Sequence, residues 1–99
     1  SISGTEDNMT VMTDPMIAAR GILKLLSQTV DEEDLTLAHE SLDYGYPRTA
    51  VYCGVAAARQ AEAPIAENIR QLIINEFVWP QDELSDVMDQ LKHIPLKAA

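Results

Sequence analysis

Few side chains in this 99-residue chain can carry covalent or proton-transfer chemistry: one cysteine, Cys53, and two histidines, His39 and His93. A nucleophilic thiol needs a neighbouring base and an activating environment. Cys53 sits in "VYCGVAAA" with neither histidine visibly paired to it, so it reads as a small buried thiol on a helix. His93 follows Asp89 by four residues, which puts both on one helix face, but a metal site needs two more ligands. The simpler reading of His93 is an imidazole near a helix C-terminus, interacting with the helix dipole. His39 is followed by Glu40, which points elsewhere on its helix, and it reads as a solvated or packing residue. No phosphate loop, GxSxG elbow, HExxH pair or dinucleotide fingerprint occurs. A single cysteine excludes an internal disulfide framework and a cysteine zinc cluster. "ESLDYG" contains the Ser-Leu pair of acyl carrier proteins, but glutamate precedes Ser41 where that family has aspartate, and Ser41 falls near a helix end. The expectation is no catalytic residue, no metal and no cofactor.

Charge and aromatic side chains remain. Sixteen acidic residues against seven basic ones give a net charge of -9. Such a surface repels phosphate backbones, which disfavours nucleic-acid binding, and it speeds encounter with a basic protein. A helix-turn-helix reading finds only Arg48 and Arg59 on the third helix. The carboxylates gather at Asp31, Glu32, Glu33 and Asp34 and again at Asp82, Asp86 and Asp89. Solubility and helix capping are the commoner explanation of such clusters. Tyr44, Tyr46, Tyr52 and Trp79 are the aromatic candidates for a partner surface. In "SLDYGYPRTA" glycine stops one helix and proline starts the next, which leaves the tyrosines unexplained. Packing of their rings over helix ends is favoured over a role as exposed anchors. Trp79 reads evenly as an anchor or as a plug in the core.

The elements that must position these residues are helical. The spacing predicts five helices joined by short corners, with no credible strand. Asp14-Pro15 opens the first, with Met16, Ala19, Ile22, Leu23 and Leu26 on its apolar face, widened by Ile17 and Leu25. Gly21 inside it predicts close packing. Asp31 caps the second, which buries Leu35, Ala38 and Leu42 and ends at Gly45. Pro47 starts the third, whose small-residue face of Val51, Gly54, Val55, Ala58 and Ala61 lets a neighbour approach closely. Pro64 opens the fourth, with Ile65, Ile69, Leu72, Ile73 and Phe77 along it. Pro80 opens the fifth, with Leu84, Val87, Met88, Leu91 and Ile94 inward and Asp82, Asp86 and Asp89 outward. The expected architecture is an all-α, single-domain bundle of about five short antiparallel or angled helices. Residues 14–95 form it, with a flexible N-terminal tail over 1–13 and a C-terminal tail over 96–99. No apolar stretch approaches the roughly 20 residues of a membrane span, and no signal peptide is visible. One cysteine fits a reducing compartment, so the expected location is the cytoplasm.

From Asp34 to Phe77 the chain resembles the small helical immunity proteins of bacterial polymorphic and contact-dependent toxin systems, particularly the Maf type. The matching pieces are Gly45-Tyr46, the run from Ala50 to Ala58, and Pro64-Ile65 with Glu67. Pro47 and the fifth helix with Trp79-Pro80 depart from the pattern. The resemblance implies a non-enzymatic protein that binds a cognate toxin and blocks it. A nuclease-type toxin with a basic groove suits an acidic bundle with aromatic anchors. The partner-binding residues expected on this reading are Asp31, Glu32, Glu33, Asp34, Tyr44, Tyr46, Trp79, Asp82, Asp86 and Asp89. The second reading is a structural or regulatory interaction domain that self-associates through the small-residue face or binds another protein.

Overall fold

Asp14 adopts extended backbone and its carboxylate accepts from the Met16 amide at 2.8 Å, so helix α1 (Pro15–Leu26) starts where aspartate and proline predict. This computed structural model describes residues 14–97; the expected tail over 1–13 lies outside the described residues. A 3₁₀ turn at Glu32–Leu35 leads into α2 (Thr36–Asp43), followed by α3 (Pro47–Ala61), α4 (Glu67–Asn75) and α5 (Gln81–Lys92). The described residues thus form an all-α, single-domain bundle of five helices without a named strand.

Helix α3 is the hub and packs against α1, α2 and α5. Its small residues explain why. Ala50, Val51, Gly54, Val55 and Ala58 are all buried, and they receive the larger Leu23 and Leu26 of α1, Leu42 of α2, and Val87 and Leu91 of α5 in one core. A Cβ built on Gly54 lies 2.8 Å from Leu23 Cδ2 and 2.9 Å from Leu26 Cδ1. The close approach expected at the small-residue face is therefore real, and it occurs within one molecule. The same observation closes one route to self-association: at Gly54 that face is covered by α1 and is not free for a second copy.

Two helix ends share one stop. Gly45 has φ +85°, its amide reaches the Leu42 carbonyl, and the Tyr46 amide reaches Ser41 at 2.8 Å. At the end of α3 the left-handed position is filled by Glu62 at φ 55°, and the Ala63 amide closes onto Ala58 at 2.9 Å.

Several expectations need correction. Gly21 is exposed, and a Cβ there meets nothing within 4 Å, so no close packing inside the fold requires it. Asp31 makes no side-chain cap, because the chain after it enters a 3₁₀ turn before α2 begins. Helix α4 starts at Glu67, not at Pro64. Ile65 is instead bridged in parallel to Leu96, with Ile65 N–H donating to Pro95 O and Lys97 N–H donating to Ile65 O. Leu96 and Lys97 therefore belong to the folded body and do not trail away as a tail. Pro80 precedes α5 as its cap residue, in extended backbone.

Candidate protein docking site

Trp79 was expected at a partner surface as readily as in the core; the structure puts it in the core, 8% exposed. The last carbonyls of a helix lack intrahelical partners. The Trp79 indole N–H donates to one of them, Ile73 O, at 2.9 Å, while its ring stands 5.7 Å from Phe77. A buried indole needs a partner for its N–H, and the end of α4 supplies one. Trp79 is thus removed from the candidate surface.

The carboxylates expected to act together are separated. Asp34 lies beside Ala57 and Ala61, toward the end of α3. Glu83, next to Asp82, pairs with Arg48 at the start of α3, 3.2 Å away. Helical rise puts roughly 18 Å between those two levels. Within the first patch, Glu32 meets His39 Nε2 at 3.3 Å, and Asp31, Glu33 and Asp34 are exposed. Within the second, Asp82 and Asp89 are exposed, but Asp86 turns inward to accept a hydrogen bond from the Tyr52 hydroxyl. That bond, followed by burial and the charge of Asp86, raises the Tyr52 pKa. Tyr52→Asp86 joins Arg48→Glu83 and Arg59→Gln90 (3.0 Å) in a polar seam holding α5 parallel to α3. Asp86 is therefore a seam residue, and its expected outward position is corrected.

The remaining candidates for chemistry stay apart. Cys53 is half-buried and free, with no hydrogen bond to either histidine. His93 Nδ1 donates to Asp89 O at 2.9 Å in the last turn of α5. Ser41 Oγ donates to Leu37 O, four residues back on its own helix. Among the described residues no group of three His, Cys, Asp or Glu side chains is placed to hold a metal ion. No helix of the described residues is long and apolar enough to cross a membrane.

The tyrosines depart from the favoured packing expectation. Tyr44 is 78% exposed and Tyr46 is 62% exposed. The αL stop at Gly45 turns the backbone away from the core, so both rings stand at a corner instead of over a helix end. Tyr46 belongs to a groove of about 740 Å³ where the starts of α1 and α3 meet the end of α4. Pro15, Pro47, Phe77 and Val78 line it with Tyr46, together with the charged Asp14, Arg48 and Glu76. Val78 is 92% exposed. Its role was missed in the sequence, although the clue was present: "EFVWP" places three apolar residues in a row at a corner, and burying Trp79 turns its neighbour outward.

No protein-family model, curated protein or solved structure matches the chain. The geometry of the site is an apolar, aromatic groove on a strongly negative body.

Proposed function

We propose that the chain is a non-enzymatic protein-binding module, an immunity protein that neutralises a cognate, basic, nuclease-type toxin in the cytoplasm by binding it directly. The observation that carries this reading is the exposed Tyr44–Tyr46–Val78 corner beside the groove, on a chain of net charge -9. Exposed tyrosines supply large contact area with little entropy to lose, and the surrounding charge draws a basic partner toward them. The acidic patches at Asp31–Asp34 and at Asp82 and Asp89 support the same reading by steering.

Co-expression tests it. The chain should restore growth to cells expressing the toxin candidate encoded by the adjacent gene, and the two purified proteins should form a one-to-one complex. Association should slow as salt rises, because charge guides the encounter. Failure to restore growth together with no complex at low salt overturns the reading.

A further inference from the structure

A second groove, of about 560 Å³, runs between α1 and α4, and it meets the first at Glu76, which lines both. Its walls are Ile17, Gly21 and Leu25 of α1 and Leu72 of α4, with Lys24 and Gln28 beside them. Ile17 and Leu72 were expected in buried stripes, yet Ile17 is 62% exposed and Leu72 belongs with the exposed apolar residues. Gly21 adds an independent oddity. Glycine in mid-helix weakens a helix relative to alanine. Nothing inside the fold comes within 4 Å of the position its Cβ would take, so the fold does not need the glycine. A backbone without a side chain, between two exposed apolar residues, permits close approach by something outside.

We infer that the joined grooves form one docking channel for an amphipathic helix of the partner, with apolar anchors flanking a lysine or arginine that reaches Glu76. This rests on the protein-binding reading above and names the surface and the occupant. The length fits: from Ile17 to Leu25 the groove follows α1 for about two turns, and Gln28 extends it past the helix end. Lys24 also lines the second groove, about two turns along α1 from Ile17, so the acidic part of the channel is the junction with the first groove. Among the described residues Glu76 makes no ion pair, and Asp14 stands at the Pro15 end. The nearest cation of the first groove, Arg48, is held by Glu83. An acidic residue at the junction of two apolar stretches calls for a basic residue between two apolar ones.

The probe is a synthetic amphipathic peptide of about 18 residues made of Leu and Lys at helical spacing, with a Leu/Glu peptide as its counterpart. Titrated into the full-length chain, the Leu/Lys peptide should shift the amide resonances of Ile17, Gly21, Leu72, Glu76 and Val78. The Leu/Glu peptide should leave them in place. Glu76→Lys and Gly21→Leu should each weaken Leu/Lys binding about tenfold. Gly21→Ala should raise Tm by about 4 °C, which confirms that the glycine serves no internal contact. Shifts confined to Asp31–Asp34, equal binding of both peptides, or no binding at all overturn the channel. So does a dimer that covers the groove, or contacts from residues 1–13 that the peptide does not displace. These failures leave the immunity reading to its own co-expression test, which uses the toxin and not the peptide.

Discussion

Gly54 leaves no room for a methyl group. A β-carbon there falls 2.8 and 2.9 Å from the ends of Leu23 and Leu26, and both leucines are buried in the same core. Alanine gains about 1 kcal/mol of helix propensity, while overpacking costs about 1–3 kcal/mol. The clash should win, so Gly54→Ala should destabilise by about 1 kcal/mol in urea unfolding, and Gly54→Leu should not yield a folded monomer. An unchanged midpoint for the alanine variant means the ends of Leu23 and Leu26 shift aside at little cost. Tyr52 makes the opposite kind of contact, polar and at the rim of the core. Its hydroxyl donates to Asp86, which favours the neutral phenol and raises the pKa above the ordinary value of about 10. A raised folded-state pKa contributes stability that is complete below the unfolded value and is lost as pH rises through the folded one. The urea midpoint should therefore fall above about pH 10, and Tyr52→Phe should remove that part of the alkaline loss while Tyr44→Phe should not. An identical alkaline slope in Tyr52→Phe excludes the seam hydrogen bond as its cause.

Between helices, one side chain closes an otherwise weak join. Arg70 on α4 donates to Leu91 O and Ile94 O, each at 2.6 Å, and to Ile65 O at 3.4 Å. It thereby satisfies carbonyls at the end of α5 and beside the Ile65–Leu96 bridge. Charge-assisted bonds of this kind contribute about 1.5–3 kcal/mol. Arg70→Ala should lower stability by about 2 kcal/mol, and Arg70→Lys should recover little, because an ammonium cannot span a fork of carbonyls. Full rescue by lysine means only the charge matters. At the end of α3, Glu62 occupies a left-handed position that costs a non-glycine residue about 1–2 kcal/mol. Glu62→Gly should raise Tm by a few degrees, and a drop means the glutamate makes a contact that offsets the strain. The helices themselves were legible in the sequence wherever period and punctuation agreed: Asp14-Pro15, Gly45 and Pro47 mark boundaries that the structure keeps. The start of α4 was not legible, because Ile65 keeps helical spacing to Ile69 while its backbone pairs with Leu96, far away in the chain. The site was less legible for the same reason. The exposure of Tyr46 and Val78, the burial of Trp79 and the inward turn of Asp86 depend on contacts between helices, which periodicity does not encode.

For the whole molecule, the proposed function divides the work of binding between the acidic patches and the apolar groove. The Asp31–Asp34 patch sits toward the far end of α3 from Tyr46, Arg48 and the groove. At that separation its carboxylates act on a partner still in solution more than on one already docked, and salt screens such action over about 8–10 Å. Contact residues in a groove act the other way, since truncating a packed anchor mainly speeds dissociation. Two variants separate the roles against the proposed toxin partner. Changing Asp31 and Asp34 to Asn with Glu32 and Glu33 to Gln should lower the association rate at low salt several-fold, narrow the salt dependence, and leave the dissociation rate nearly unchanged. Tyr46→Ala with Val78→Ala should do the reverse, raising the dissociation rate about tenfold or more with the salt dependence of association intact. Both rates can be read from one stopped-flow or surface-binding series at low and high salt. If the charge variant instead accelerates dissociation and the groove variant has no effect, the toxin sits on the acidic patch itself, and the Tyr46–Val78 end is not the contact surface.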